Sequence, residues 1–374
     1  MTIRDRLALT DDERMLQATL REFLTARLPS AELRSALDSD AGYSMTLHAR
    51  LISELGVGGL TIPEDFGGLG LSQAEACVVH AELGRALYPG PFLPGCLAAA
   101  ALLAAGDLAA CQEWLPRLAD GSATGTVAPA GENGSWQAGR APVQAEKAPG
   151  GWRLHGRSWF VLSGQAADII IVPAAAASAP GMFLVESGAP GLAVTPMTGL
   201  DLTRRAAALA FDAVPARLLG RGGDAAGVLE QVERHFLLAT AAEASGGISW
   251  CLDLGVGYAR DREQFGRPIG SFQAVAHQCA DMLADLQSAA AAARYAAVAS
   301  AAGSEDAALA ARVAALRGGE SYRRVAEAAI HLLGGVGFTW EHDAHLYYRR
   351  AWSAQQLAGG PQAHRAAIAD LAGL

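Results

Sequence analysis

Apolar residues recur with helical spacing in the first and last thirds of the chain. The run over residues 11–28 opens with Asp11, Asp12 and Glu13, and acidic residues stabilise the first turn of a helix. A second helical run covers residues 72–87, after a Gly- and Pro-rich turn. Three long helical patterns close the chain, at residues 225–261, 272–302 and 307–333.

The middle of the chain has a different pattern. Short apolar runs separated by Gly, Pro and Asp occupy residues 152–155, 169–172, 183–185 and 192–194. Such runs at turn spacing predict a small, mostly antiparallel β domain, with the Gly-rich segment 220–224 as its exit linker. We therefore expect a helical domain over 1–120, a β domain over 121–222 and a second helical domain over 223–374.

Composition narrows the class of protein. The 374 residues are 51% hydrophobic and 18% charged, which suits a large helical core. A net charge of -9 argues against a nucleic-acid surface. The five cysteines are widely spaced and form no CxxC pair, so we expect buried thiols in a reducing, cytoplasmic compartment, with no metal site. We also expect no secretory signal and no membrane span.

The segment 260–273 carries the most specific chemistry. It joins two long helices through a Gly/Pro turn, and Arg262 and Arg267 could direct guanidinium groups at a phosphate while Phe265 covers a ring. The alternative interpretation is a plain helix end, with favourable arginines, a Gly stop and a Pro beyond it. Physical arguments alone slightly favour that alternative.

The same segment resembles the acyl-CoA dehydrogenase pattern Arg-x-x-Phe-Gly-x-Pro-Ile-x-x-Phe-Gln, followed here by Ala280-Asp281-Met282. Segments 63–71, 154–168 and 333–342 resemble other parts of that family, in the family's order. The resemblance implies an α+β fold with an N-terminal helical domain, a central β-barrel or sandwich domain and a C-terminal four-helix bundle. It also implies FAD as cofactor.

The resemblance assigns residues to the FAD nucleotide, which the family holds across a subunit boundary. Glycines at 334 and 335 would let the backbone approach a ligand closely, although a Gly cluster alone is weak support and no βαβ unit surrounds this one. His331 stands where the family often has Gln. The implied nucleotide set is Arg262, Phe265, Gln273, His331, Gly334 and Gly335.

Around the flavin ring the chain departs from the family. Phe160 replaces a Trp, and Leu162 replaces a Thr whose side chain would hydrogen-bond the flavin. The family's Thr-Glu-Pro stretch is reduced to Val-Ala-Pro at residues 127–129. Gly360 and Gln362 match positions that contact FAD. These departures put full activity of a homo-oligomer in question.

The family's reaction removes an α-proton from an acyl-CoA thioester, which requires a carboxylate beside that carbon. Where one branch of the family carries this Glu, the chain has Ala358. Other branches place the base on the first helix of the C-terminal domain, where Glu243 lies among small residues and Glu233 precedes Arg234. We expect Glu243 to be the base, strengthened by desolvation. It could instead be the partner of an arginine or lie on a solvated face. Glu233 resembles a solvated face, yet the family spacing favours it, so the choice stays open.

Three functions follow from the resemblance. The leading hypothesis is FAD-dependent α,β-dehydrogenation of an acyl-CoA thioester, with an electron-transferring flavoprotein as acceptor. The second is a non-catalytic partner subunit that completes the FAD site of a heteromeric enzyme, and the third is an acyl-CoA-binding scaffold. We expect a homo-oligomer or a heterotetramer, with the Ala-rich segment 288–302 packing between protomers.

Overall fold

The fold was determined as a computed structural model that describes residues 3, 6–134, 136, 141–177 and 179–374. Over these residues the order of elements is helical, then β, then helical, so the predicted fold class is confirmed. The N-terminal helices are α1 Asp11–Arg27, α2 Ser30–Asp38, α3 Met45–Leu55, α4 Gln73–Arg85, α5 Phe92–Ala105 and α6 Leu108–Ala119. The C-terminal helices are α7 Ala225–Asp261, α8 Gln273–Ala301, α9 Ala307–Leu333, α10 Ala344–Gln356 and α11 Gly360–Leu371.

Capping residues define where two of the N-terminal helices begin. The Thr10 hydroxyl accepts from the Glu13 N–H, and the Glu13 carboxylate accepts from the Thr10 N–H, which forms a capping box at α1. Ser72 and Glu75 form the same box at α4. The carboxylate of Glu13 is also buried against Arg294 of α8, at 2.7 Å, which ties the N-terminal helices to the C-terminal ones.

The central strands close into a small barrel. The strands are β1 Gly125–Val127, β2 Val143–Ala148, β3 Gly151–Leu162, β4 Ile169–Ala176, β5 Gly181–Glu186, β6 Leu192–Met197 and β7 Ala206–Leu218. Pairing runs β4–β2–β3–β7–β5 and returns to β4, while β1 adds to β4 and β6 adds to β7. The pairs β1–β4 and β2–β4 are parallel and the others are antiparallel. β4 is apolar on both faces because Ile170 faces the barrel core and Ile171 packs against the N-terminal helices.

Helices α7 to α10 form the C-terminal bundle, and a short hairpin of β8 Glu263–Gln264 and β9 Arg267–Pro268 follows α7. α7 and α9 run parallel, since Gly247 of α7 lies against Tyr322 and Gly255 lies against Leu332. Glycine allows α7 to approach α4 as well. A Cβ on Gly246 would lie 1.8 Å from the Ala81 carbonyl oxygen.

The Ala-rich segment 288–302 is only partly available to a second protomer. Ala293, Ala296, Ala297 and Ala299 are buried within the chain, whereas Ser288, Ala291 and Ala301 are exposed. Packing of this segment between protomers stays a prediction.

Two further expectations concern the thiols and the membrane. All five cysteines are free thiols, and burial raises the pKa of Cys77 to about 11 and that of Cys96 to about 12. Of the helices that the structure describes, none has the length and apolarity needed to cross a bilayer.

Candidate active site

Glu243 lies in the middle of α7, where that helix crosses α4. The approach is close because Gly84 of α4 has no Cβ, and a Cβ there would lie 2.2 Å from the Glu243 carbonyl oxygen. The carboxylate therefore points between α7, α4 and the loop that leads into β7. Only 12% of the side chain is exposed, so the charged group is largely removed from water.

Three basic side chains surround that carboxylate. The guanidinium of Arg204, which is 9% exposed, donates from Nη2 to Glu243 Oε2. Arg350 of α10 donates from Nη1 to the same oxygen at 3.4 Å. His80 of α4 places Nδ1 3.8 Å from Glu243 Oε1. The buried charge is thus paired within the chain, as a buried carboxylate must be.

This pairing corrects the expectation that burial makes Glu243 a strong base. Burial alone raises the pKa of the Glu243 carboxyl, but the adjacent guanidinium of Arg204, with His80 and Arg350 behind it, outweighs burial and lowers that pKa to about 2. Glu243 is therefore ionised at neutral pH. It is a weaker proton acceptor than an unpaired buried carboxylate while Arg204 stays in place.

Arg350 fixes the loop that carries Arg204. Its Nε lies 2.9 Å from both Asp201 Oδ2 and Thr203 Oγ1, and its Nη2 donates to the Thr203 carbonyl oxygen at 2.8 Å. Arg350 and Asp201 are both buried. Because α10 holds this loop at several points, the position of Arg204 against Glu243 is set by the C-terminal bundle.

Two small cavities adjoin Glu243. The first, of about 20 Å³, contains Glu243 and Arg204 in its wall, together with Leu162 and Ser163 from the end of β3. The second, also about 20 Å³, lies between α4, α5 and α7 and includes His80 and His235. The walls of both cavities contain Phe92 and Leu93 of α5, so these two side chains separate them. Each cavity is large enough for one water molecule.

Two buried nitrogens beside Glu243 lack a hydrogen-bond partner among the described residues. They are Arg204 Nη1 and His80 Nδ1, and the two side chains are 9% and 5% exposed. Buried polar atoms are nearly always paired in native proteins, and an unpaired one commonly marks a place for water or ligand. Arg204 lines the first cavity and His80 lines the second, so the site has two nitrogens without a hydrogen bond next to its carboxylate.

Glu233 occupies a different surface of α7. Its carboxylate accepts from Arg312 of α9 at 2.7 Å, and burial raises the pKa of its carboxyl despite that arginine. With 16% of the side chain exposed, Glu233 is not on the solvated face that its neighbours Arg234 and His235 suggested. It lies on the wall of neither cavity beside Glu243.

The residues expected at the nucleotide gather at one end of the bundle. Because α7 and α9 run parallel, the turn after α7 and the turn after α9 lie at the same end of the bundle. All six residues are exposed: Arg262, Phe265, Gln273, His331, Gly334 and Gly335. Phe265 is 92% exposed and has a φ of 55°, and its ring lies edge-on to Phe272 at 6.0 Å. Arg262 is 19 residues beyond Glu243 on the same helix, which corresponds to about 28 Å.

These residues fit the nucleotide half of FAD. Within the described chain the Arg262 guanidinium makes no hydrogen bond or ion pair, which leaves its donors available to a pyrophosphate. A Cβ built on Gly334 or Gly335 would meet no atom within 4 Å, so the backbone there is open to a ligand.

The flavin-ring positions fit less well. Leu162 is 8% exposed and offers no side-chain donor, and the stretch 127–129 is apolar and buried. Phe160 is 40% exposed, with a φ of 54° at a β-bulge, and is accessible for stacking. Gly360 and Gln362 lie at the start of α11, where Gly360 is buried and Gln362 is exposed. The chain therefore presents a good nucleotide half-site and a poor set of side-chain donors for the ring.

Known proteins agree with this architecture. The family model described as acyl-CoA dehydrogenase, N-terminal domain, matches residues 10–122, and that described as acyl-CoA dehydrogenase, C-terminal domain, matches residues 231–372. Acyl-CoA dehydrogenase IpdE2 of Mycolicibacterium smegmatis is 34% identical over 354 residues, which are 95% of this chain and 96% of that protein.

The chain belongs to the acyl-CoA dehydrogenase family. Its relatives are FAD-dependent oxidoreductases of lipid metabolism, so the predicted family and cofactor are confirmed. A solved steroid acyl-CoA dehydrogenase variant, Tcur3481-Tcur3483, has a TM-score of 0.88 and 31% identity, and covers 98% of this chain and 99% of its own. The ChsE4-ChsE5 complex from Mycobacterium tuberculosis has a TM-score of 0.89 and 29% identity, with 98% of both chains covered.

Sequence reasoning did not find Arg204, Arg350 or His80. Arg204 precedes a second arginine in a stretch that is otherwise apolar, and that tandem pair was the available signal. His80 lies on a helix that is buried on most sides, where a polar residue is unusual. In this acyl-CoA dehydrogenase the three basic residues come from different elements, so no local pattern connects them to Glu243.

Proposed function

We propose that this chain is a subunit of an FAD-dependent acyl-CoA dehydrogenase in which Glu243 accepts the α-proton of an acyl-CoA thioester. The supporting observation is the grouping of Glu243 with two unpaired buried nitrogens in cavity walls made by α7, α5 and the end of β3. A proton acceptor with adjacent unused donors is what removal of a proton beside a carbonyl requires.

The two arginines beside Glu243 have different roles in this proposal. Arg204 Nη1 donates to the thioester carbonyl oxygen and so makes the α-proton more acidic. When Arg204 turns toward that oxygen it releases Glu243, whose pKa then rises because burial is no longer opposed. Arg350 keeps the loop in place through Asp201 and Thr203 and acts as a positioning residue. FAD, when bound, supplies the acceptor for the β-hydride.

The proposed assembly contains at least two subunits. The nucleotide set and Glu243 are about 28 Å apart along α7, so we assign them to the two halves of different FAD sites. The names Tcur3481-Tcur3483 and ChsE4-ChsE5 each join two chains, which supports a heteromeric partner, and a homo-oligomer would satisfy the same geometry. We propose an electron-transferring flavoprotein as the acceptor.

A second function is favoured by a specific observation. Leu162 cannot hydrogen-bond the ring, and Glu243 is held by two arginines, so the chain could instead complete the FAD site of a catalytic homologue without reacting itself. In both functions, the end of the bundle that carries Arg262 would bind the nucleotide of the partner's FAD.

Flavin content separates the two functions. The full chain is purified alone and together with a homologous subunit, and its absorbance near 450 nm is measured before and after anaerobic addition of acyl-CoA. Bleaching that is lost in Glu243→Gln, in either preparation, supports the proposed function. Bleaching that persists in Glu243→Gln when the partner is present supports the non-catalytic subunit. A preparation that never holds flavin contradicts both.

A further inference from the structure

The cavity between α4, α5 and α7 is mostly apolar, and its polar side chains are Thr61, Gln73 and two imidazoles. Its apolar walls include Ile62, Leu97 and Ala99, while His80 comes from α4 and His235 from α7. Phe92 and Leu93 separate it from the cavity that contains Glu243. In the proposed function the α-carbon lies at Glu243, so this second cavity is where the acyl tail extends.

A hydrocarbon tail gives no reason for two histidines in this wall. His80 is 4% exposed, and its ring packs edge-on against Phe92 at 5.3 Å. Its Nδ1 makes no hydrogen bond among the described residues, although Glu243 Oε1 lies 3.8 Å away. Burying an unpaired polar nitrogen costs about 1–3 kcal/mol, so a purely structural histidine would be expected to find a partner.

The second imidazole has a defined orientation. His235 Nδ1 lies 2.8 Å from the Gln231 carbonyl oxygen, so Nδ1 carries the hydrogen and Nε2 is the acceptor. Burial lowers the pKa of His235, with smaller contributions from Arg234 and His80, which keeps the ring neutral at pH 7. The wall therefore presents an acceptor at His235 and an unused nitrogen at His80.

We propose that His80 and His235 recognise an oxygen substituent on the acyl tail, and that a hydroxyl group fits them best. A hydroxyl can donate to His235 Nε2 and accept from His80 Nδ1, whereas a ketone oxygen can only accept. A carboxylate is disfavoured because Glu243 is nearby, with its Oε1 3.8 Å from His80. The substrate class is thus a hydroxyacyl-CoA, with an oxoacyl-CoA second. This inference rests on the proposed function for the placement of the tail.

Entry of such a tail requires Phe92 and Leu93 to move, because they separate the two cavities. The cavity of about 20 Å³ has room for one water, which would bridge the two imidazoles. The substrate hydroxyl replaces that water and takes over its hydrogen bonds, whereas a plain hydrocarbon tail displaces it without compensation.

Equilibrium binding tests the inference without requiring turnover. Calorimetry compares octanoyl-CoA with its 4- to 7-hydroxy and 4- to 7-oxo forms, on the full chain in its flavin-containing assembly. We expect one hydroxy form to bind about tenfold more tightly than octanoyl-CoA. His80→Phe should abolish that preference, His80→Gln should keep part of it, and His155→Phe, in the barrel, should leave it unchanged.

Other outcomes overturn the inference. Equal affinity for all thioesters shows that the imidazoles bind only water. If His80→Phe lowers the affinity for every thioester equally, His80 has only a structural role. In both cases the proposed dehydrogenase function stands. If no thioester binds the wild-type assembly, the proposed function fails first and this inference fails with it.

Discussion

Arg204 and Glu243 form a buried ion pair that joins the loop before β7 to the middle of α7. The pair is 39 residues apart in sequence, and Arg350 reaches the same carboxylate oxygen from α10 at 3.4 Å. The β domain, the first helix of the bundle and a later helix of the bundle thus meet at one charged group. Changes at this pair should alter both stability and the proton affinity of Glu243.

Replacing Arg204 with Met should destabilise the chain in a way that depends on pH. At pH 7 the variant removes the main partner of a buried carboxylate and leaves only the longer contacts to Arg350 and His80, which costs up to roughly 3–5 kcal/mol. The folded-state pKa of Glu243 is about 2 in the wild type, below its ordinary value of 4.5, so its stabilising contribution is present above pH 4.5 and is lost as pH falls toward 2. In the variant, protonation of Glu243 relieves the buried charge. The difference in free energy of unfolding between wild type and variant, here called the stability gap, should therefore shrink between pH 7 and pH 3.

Urea unfolding at several pH values measures that gap. Arg205→Met is the matched control, because Arg205 is the neighbouring arginine and donates to the Leu37 carbonyl oxygen, not to a carboxylate. A gap for Arg204→Met that is constant with pH would show that Glu243 does not depend on Arg204.

His48 should contribute to acid sensitivity at milder pH. It is hydrogen-bonded to Tyr88 Oη at 2.8 Å, and burial lowers the pKa of His48 from 6.5 to about 4. A lowered histidine pKa means that the unfolded chain takes up the proton first, so stability falls as pH drops from 6.5 to 4. We expect His48→Gln to flatten this part of the melting-temperature profile. An unchanged slope in the variant would assign the effect to other groups, such as His364.

Arg262→Ala should weaken FAD retention far more than Arg234→Ala. The Arg262 guanidinium makes no hydrogen bond or ion pair within the described chain, and loss of a charge-assisted hydrogen bond to the pyrophosphate costs on the order of 1.5–3 kcal/mol. Flavin absorbance per mole of purified protein measures the effect. Equal flavin occupancy in the two variants would remove Arg262 from the nucleotide site.

The assembled protein should be at least a dimer. Large apolar side chains are exposed at the end of the bundle that carries the nucleotide set, with Phe265 at 92%, Phe338 at 82% and Trp340 at 63%. Such a patch on one end of a monomer indicates a covered surface in the assembly. Light scattering on the FAD-containing protein should report a dimer or a larger species. A stable monomer with tightly bound FAD would contradict the shared site.

Sequence patterns predicted the bounds of some helices to the residue and did not predict other elements. α7 and α9 have the predicted bounds because Asp224 caps the first and Gly334 follows the second, and both signals are local. The sequence could not predict which face of α8 is buried, because alanine occurs on all sides of that helix and gives no contrast between buried and exposed faces.

The sequence likewise predicted only part of the candidate site. Glu243 and the Arg262 turn were predicted from residues close together in the chain. The groups that set the charge of Glu243 come from α4, α10 and the loop before β7, and only the folded structure brings them together. Glu243, which was predicted to be a strong base, is therefore a carboxylate whose pKa is about 2.

Anaerobic flavin bleaching in Glu243→Gln tests the central claim most directly. The substitution keeps shape and removes the proton acceptor, so the variant in its flavin-containing assembly should still bind acyl-CoA. Bleaching per folded molecule should slow by about 10²–10⁴-fold, the usual contribution of a positioned base, while Glu233→Gln should bleach at the wild-type rate. Full-speed bleaching in Glu243→Gln together with a lower melting temperature would contradict the account and leave Glu243 as a structural ion-pair partner.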